Sequence, residues 1–526
     1  MSLVLAKKFE PSPQQSTVFD WITNGTGSCV LEAVAGSGKT TTLIRALNLM
    51  TGTIYFGAYN KKIAVEIQNR APKRDGLDIA TMHSAGFQAW RKAAPRVQLD
   101  ADKVRNIFRA AVTRNMQYAP FHGVVLQLVS LAKQAGVGID GFPSMNASKT
   151  WHDLIEHFDL ETFDESSDTD NSEIIVKLAR KTLEASIAQN LELIDFDDMI
   201  YAPLYHNCSL PKYDWVLIDE AQDTNGTRRE LALRMLKKGG RLMAVGDRHQ
   251  AIYGFTGADS DALDLIGTAV QAKQLPLTIT YRCPKAIVSY AQQWVQHIQA
   301  AETAPEGIVR SAPLESLHDE VKVGDAILCR FNAPLVKNVY KLIAKGIPAK
   351  IEGREIGTGL KTLVNRWKVK SIEALLTRLE KYEERETTKY RLKEQEVRAV
   401  AVEDKVNCLR IIIDRVLLSD ADTKTPGLRV CAEVDAIFGD NGDAPVVLLS
   451  SIHKSKGREW KKVIWLQAKP NGRARMEWAK VQENNLCYVA ATRAMEELVL
   501  IDITAEDKQA EKQALHNSNL RSILGM

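Results

Sequence analysis

Two stretches of this 526-residue chain place phosphate- and metal-handling side chains at the ends of short apolar runs. Ala33-Val34-Ala35-Gly36-Ser37-Gly38-Lys39-Thr40 follows the run Cys29 to Ala33 and opens a stretch with helical spacing, Thr40 to Met50. Small residues at Ala35, Gly36, Ser37 and Gly38 let backbone N–H groups close on an anion, and the following helix turns its positive end toward it. In such a loop Lys39 contacts the outer phosphates and the Thr40 hydroxyl ligates a divalent cation. Ile218-Asp219-Glu220-Ala221-Gln222-Asp223 ends a second run, which begins at Trp215. Adjacent carboxylates at a strand end can divide the work, Asp219 holding Mg2+ beside Thr40 while Glu220 polarises an attacking water. Together the two stretches predict a site for ATP and Mg2+.

The elements that must position these groups repeat along the chain. Apolar runs at Thr53–Phe56, Trp215–Ile218 and Leu242–Val245 each end at a polar block, and a second set follows at Ala326–Cys329, Val446–Leu449, Val463–Leu466 and Leu498–Ile501. Strands feeding polar loops, separated by helical stretches, predict an α/β fold with two parallel sheets, and ligands bind such sheets at the carboxyl ends of the strands. The expected division is a first lobe at 1–87 and 193–272, a helical insertion at 88–192, a second lobe at 273–357 and 446–526, and a smaller helical insertion at 358–445. The stretch Gln271–Gln274 with Pro276 reads as the hinge. Asp153 to Glu173 carries nine acids and no Lys or Arg, which predicts a solvated segment away from any polyanion. In the second insertion Val406, Leu409, Ile413 and Val416 share a helical face while Glu380 to Glu386 is densely charged, the pattern of a helical arm or hairpin.

Bulk properties set the class. Hydrophobic residues make up 45% and charged residues 25% of the chain, with a formal net charge of +4; this is an ordinary globular balance. No apolar run approaches a membrane span, and Met1 to Glu10 has no apolar leader, so a soluble, cytoplasmic protein is expected. The seven cysteines are widely spaced with no C-x-x-C pair, which argues against a zinc ribbon or iron–sulfur cluster.

Further blocks complete a pattern. Val245-Gly246-Asp247-Arg248-His249-Gln250 continues through Tyr253 and Phe255, Ser451 to Trp460 includes His453-Lys454-Ser455-Lys456-Gly457-Arg458-Glu459, and Tyr488-Val489-Ala490-Ala491-Thr492-Arg493-Ala494 lies near the end. With the first two stretches these blocks resemble the motifs of superfamily 1 helicases of the UvrD/Rep/PcrA type, over residues 12 to 495. The spacing around Tyr59 and the small second insertion are similar to the F-box helicase and phage branch. The resemblance implies two RecA-like lobes of the P-loop NTPase class, with ATP held between them. It implies that Gln15 reads adenine, that Thr41 stands where an adenine-flanking Arg is usual, and that Gln250 senses the γ-phosphate. It further implies that Tyr281 stacks on the base, Arg282 and Arg493 reach the γ-phosphate, and Gly457 and Glu459 line the ribose side. A nucleic-acid track is implied at Tyr59, Asn60, Lys61, His83, Ser84, Tyr253, Phe255, Arg330, Asn332, His453 and Lys456, with Tyr253 and Phe255 as the base-stacking pair.

The expected activity is an ATP-dependent DNA helicase and translocase moving 3′ to 5′ on single-stranded DNA, acting at single-strand/double-strand junctions in repair, recombination or replication. An alternative is a DNA-stimulated ATPase that clears proteins with little unwinding, and a third reading takes RNA as the track. Replication or recombination proteins are the expected partners, the chain itself acting as a monomer or weakly self-associating.

Overall fold

The computed structural model describes residues 9–501 apart from 114, 159, 161, 165–168, 253–260, 368, 393–395, 419–425, 439–444, 468 and 470–476. The chain divides into two compact units, Met1–Thr278 and Ile279–Met526. In the first, strands β1 Cys29–Ala33, β2 Ile54–Ala58, β3 Leu77–Thr81, β4 Tyr213–Ile218, β5 Leu236–Gly246 and β6 Lys273–Leu277 form one sheet. Their order is β6-β1-β5-β4-β2-β3, and every pairing is parallel.

Alternation along each strand fills both faces of that sheet. Val216 and Ile218 pack on one side with Val30, Tyr55, Leu242 and the insertion residues Leu128, Trp151 and Leu183. Trp215 and Leu217 pack on the other with Leu31, Phe56, Val245 and the helix residues Val18, Trp21, Leu43 and Ile67. A parallel sheet needs such double cover because its strands are apolar on both faces. The inserted helices Lys103–Val112, His122–Gln134, Ser148–His157 and Ser172–Ala188 lie between β3 and β4 in sequence. Two lysines are buried there, each against carboxylates that follow the insertion: Lys103 Nζ lies 2.7 Å from Asp198 Oδ2, and Lys133 Nζ lies 2.6 Å from Asp195 Oδ2 and 2.8 Å from Asp198 Oδ1.

The second unit holds β7 Ile308–Ser311, β8 Ala326–Cys329, β9 Ala349–Glu352, β10 Val447–Ser451, β11 Trp460–Leu466 and β12 Ala494–Ile501. They form a parallel sheet in the order β7-β12-β11-β8-β10-β9. Between β9 and β10 come the helices Arg354–Trp367, Ile372–Leu392, Glu396–Leu417 and Pro426–Phe438. Val406, Leu409, Ile413 and Val416 are buried, as the helical spacing implied, and their helix packs along Ile372–Leu392 as a hairpin, with Arg391 reaching Glu403 and Arg410 reaching Glu383. The buried residues share one apolar core with Ile327, Val336, Leu449 and Ile464 of the lobe. The charged run Glu380 to Glu386 lies on the helix whose Leu375 and Leu379 enter that core.

The expected hinge is displaced. Residues 273–277 pair with β1 from Cys29↔Lys273 to Ala33↔Leu277, so they belong to the first sheet and the boundary falls between Thr278 and Ile279. Pro276 lacks an N–H, and an edge strand is where a sheet tolerates it. Among the described residues no helix is long and apolar enough to cross a membrane, and no cluster of three or more His, Cys, Asp or Glu could hold a metal.

Candidate nucleotide and nucleic-acid sites

The carboxyl ends of β1, β5 and β4, adjacent in the sheet, carry the phosphate loop, Asp247 and the Asp219–Glu220 pair. Gly36 and Gly38 adopt φ of 71° and 78°, a region that side chains with a Cβ avoid. Ala35 begins the turn and Ser37 N donates to Val34 O at 3.3 Å. The helix Lys39–Ala46 starts from Gly38 without any side-chain cap, so its first N–H groups are offered to an anion. Ser37 Oγ is buried and has no hydrogen-bond partner. That orphaned hydroxyl, beside uncapped amides, fits a phosphate.

The acids lie opposite. Thr40 Oγ1 is 3.5 Å from Asp219 Oδ2, and Lys39 Nζ is 3.8 Å from Glu220 Oε1. Burial, then the Glu220 charge, raises the Asp219 carboxyl to about 7. Lys39 and the Thr40 hydroxyl only partly offset that rise, and a divalent cation between Thr40 and Asp219 would supply the remaining positive charge. The donor set therefore fits magnesium. Glu220 sits at φ 51°, an uncommon conformation for a side chain with a Cβ, of the kind that concentrates at working sites.

One residue overlooked in the sequence reading ties this site together. Gln222 Nε2 donates to Glu220 Oε2 at 2.5 Å, while Gln222 Oε1 accepts from Asp247 N at 3.1 Å. Gln250 Nε2 in turn donates to Asp247 Oδ2 at 2.7 Å. A Cβ at Gly246 would stand 2.5 Å from Gln222 Oε1, so glycine is what lets the bridge form. A polar chain thus runs from Glu220 through Gln222 and Asp247 to Gln250. The sequence signal was only that Gln222 sits two residues beyond the acid.

Other expected nucleotide contacts are already engaged. Gln15 closes a capping box with Ser12, and its Nε2 donates to Thr42 Oγ1 at 2.9 Å, so both ends of its amide have partners. Thr41 Oγ1 accepts from Arg70 Nη2 at 3.1 Å, which puts an arginine beside the position where the resemblance places one. In the second unit Tyr281 is 53% exposed, and Arg282 Nε donates to Glu459 Oε2 at 2.6 Å while Arg282 Nη1 reaches Thr492 O at 3.4 Å. Arg493 donates to Val489 O and Arg458 O at 3.0 and 3.1 Å. Gly457 turns the chain at φ 82°. Arg282, Glu459 and Arg493 therefore gather at the amino end of the second sheet, where Trp460 pairs with Ala494.

The expected nucleic-acid residues divide between the carboxyl ends of both sheets. Tyr59 and Asn60 follow β2, and Asn60 Oδ1 caps the helix Lys61–Arg70 by accepting from Ile63 N at 2.9 Å. Tyr59, Asn60 and Lys61 are exposed. His83 and Ser84 open the helix Met82–Ala93 after β3, and Ser84 N donates to Thr81 Oγ1. Burial, then Arg228, lowers His83 to about 4, so it is neutral near pH 7. Tyr253 and Phe255 lie outside the described residues. In the second unit Arg330 follows β8 and bridges Glu483, Nη2 to Oε1 at 2.8 Å. His453 and Lys456 follow β10, and burial, then Arg330, lowers His453 to about 3.

Asn332 is held from within its own unit. Its Nδ2 donates to Asp404 Oδ2 at 3.0 Å, and Asp404 also accepts from the backbone N of Asn332 and Ala333 at 2.9 and 2.7 Å. A carboxylate from the second insertion thus caps the helix Asn332–Ala344 and holds Asn332 in place. No local sequence signal pointed to Asp404, because its partners lie about seventy residues away.

Family models described as the UvrD/REP helicase N-terminal domain and the UvrD-like helicase C-terminal domain match residues 14–270 and 447–501. The chain belongs to the UvrD/REP helicase family. Its relatives include F-box DNA helicase protein 1 of Schizosaccharomyces pombe, 25% identical over 90% of this chain and 55% of that protein. ATP-dependent DNA helicase PcrA of Staphylococcus epidermidis is 24% identical over 60% of this chain and 44% of its own length. A probable DNA helicase II homolog of Mycoplasma pneumoniae is 25% identical over 54% and 42%. The chain spans about half the length of the curated relatives it matches.

Proposed function

We propose that this chain is an ATP-driven motor that moves 3′ to 5′ on single-stranded DNA and opens single-strand/double-strand junctions, serving repair, recombination or replication. The observation that carries this reading is the polar chain from Glu220 through Gln222 and Asp247 to Gln250. It connects the hydrolytic carboxylate to the block that leads into Tyr253 and Phe255. The names of the relatives support DNA as the track and ATP as the fuel.

In this reading the phosphate-loop amides and Lys39 bind and orient the substrate triphosphate, and Glu220 aligns and deprotonates the attacking water. Magnesium, held by Thr40 and Asp219, would neutralise charge on the transferring phosphoryl group. Arg282 and Arg493 would come from the second lobe, so that hydrolysis opens and closes a cleft between the lobes at 1–87 with 193–272 and at 273–357 with 446–526, the second now counted from residue 279. The insertions at 88–192 and 358–445 would serve as accessory regions. The track would pass Tyr59, Lys61, His83, Arg330 and Lys456, with Tyr253 and Phe255 stacking on bases.

A second reading, a DNA-stimulated ATPase that clears proteins with little unwinding, draws support from the small second insertion, whose helices are built into the lobe's core. One experiment separates the two: ATPase and strand separation measured on 3′-tailed and 5′-tailed duplexes. The motor reading expects DNA-stimulated hydrolysis and separation of the 3′-tailed substrate. Stimulated hydrolysis without separation favours the clearing role, and hydrolysis indifferent to DNA refutes both.

A further inference from the structure

The helix Glu477–Ala491 is the crossover between β11 and β12. Because those strands are parallel, it runs back from the carboxyl end of the sheet to the amino end. Arg493 follows it at the amino end. Glu483, about two turns before the helix stops, is only 5% exposed. Its carboxylate takes the Nε and Nη2 edge of Arg330, Nε to Oε1 at 2.9 Å, Nε to Oε2 at 3.2 Å and Nη2 to Oε1 at 2.8 Å. Arg330 directly follows β8 at the carboxyl end, with its guanidinium 5.4 Å from the centre of the Phe331 ring.

A guanidinium has five donors in a rigid fork, and a carboxylate on one edge fixes the plane of the whole group. Burial makes that pairing costly to break on one side alone. The Nη1 donors then have a set direction, which a flexible surface arginine lacks. Arg493 lies two residues beyond the same helix, and its guanidinium returns to Val489 O on the helix's last turn. We propose that Glu483 is a positioning residue that aims Arg330 at a backbone phosphate of single-stranded DNA and joins that grip to Arg493 through one stiff helix. This rests on the reading of Arg330 as a DNA contact and adds a residue that neither the motifs nor the relatives assign.

The test measures the concentration of oligodeoxythymidylate giving half-maximal ATPase stimulation, using the full chain. Glu483→Gln keeps the shape but loses one charged acceptor; it should raise that concentration about 5- to 10-fold while leaving hydrolysis without DNA within about twofold. Arg330→Ala should give a similar rise, and adding Glu483→Gln to it should change the value by less than about twofold. Arg330→Lys keeps the charge without the fork, so it should match Glu483→Gln, and it decides the matter if Glu483→Gln fails to fold. An unchanged half-saturation in Glu483→Gln beside a raised one in Arg330→Ala overturns the positioning role, as does full additivity. An unchanged value in Arg330→Ala removes Arg330 from the track. Hydrolysis unaffected by DNA in the unsubstituted chain refutes the motor reading itself, and the positioning role falls with either.

Discussion

The two units carry sheets of the same size and connectivity type, yet they treat their charges in opposite ways. In the first, Lys39, Thr40, Asp219 and Glu220 approach one another at 3.5 to 3.8 Å without closing into tight pairs, and Asp219 is held far above its usual range. In the second, three arginines are closed on carboxylates, Arg282 on Glu459 at 2.6 Å, Arg330 on Glu483 at 2.8 Å and Arg458 on Glu352, while Arg493 is held by the carbonyls of Val489 and Arg458. Loose spacing around a raised acid suits a bound cation. Tight forks describe groups held in a chosen direction.

The sharpest way to break that contrast is Arg493→Ala. If the second unit supplies transition-state charge, hydrolysis should slow by about 1,000-fold or more with nucleotide affinity little changed. A loss of affinity alone would make Arg493 a binding group. Lys39→Ala should lower turnover by at least about 100-fold while DNA binding persists; turnover near the original rate would remove the phosphate loop from the reaction.

Stability extends the comparison to the insertions. Lys133→Ala leaves Asp195 and Asp198 buried without that partner, and breaking a buried pair from one side costs about 3–5 kcal/mol. For a unit of this size that lowers the melting temperature by about 10 °C. Asp404→Ala removes only a helix cap, so about 1 kcal/mol is expected, a shift of a few degrees. Equal shifts in scanning calorimetry would erase the distinction between an insertion closed over ion pairs and one built on apolar packing.

The smallest effect concerns pH. Magnesium needs the ionised Asp219 carboxylate, so magnesium–nucleotide affinity should rise with pH, be about tenfold weaker at pH 6 than at pH 8, and flatten above about 7. The sign for the ligand-free unit is opposite. An acid whose folded value lies above its unfolded one costs stability as it ionises, so this contribution declines between about pH 4 and pH 7. A flat binding profile in a fluorescent-nucleotide titration would show that Asp219 is not raised.

What could be read from the sequence follows the same divide. The α/β class was legible because central strands are short apolar runs, Ala326–Cys329 without a break and Cys29–Ala33 broken only by Glu32. Edge strands were not: Leu77–Thr81 is only partly buried and carries the exposed Asp78, Ile308–Ser311 is exposed at both ends, and Lys273–Leu277 contains Pro276. The meeting of Lys39 and Thr40 with the Asp219–Glu220 pair was legible because each lies where an apolar run stops. Carboxylates that pair with the second unit's side chains, Glu352, Asp404 and Glu483, were not. They act across 72 to 153 residues of sequence, and nothing in their immediate neighbours distinguishes them from solvated acids.

The merging of the second insertion with its lobe has a mechanical consequence. An accessory region that swivels needs a dry seam of its own along which to slip; here Leu379, Leu409 and Val434 sit in the same packed interior as Ile327 and Leu449. Rotation would have to tear that interior open and wet its apolar side chains. The region therefore behaves as part of the lobe's own body, and a strain applied to its helices is felt directly at the strands beneath them.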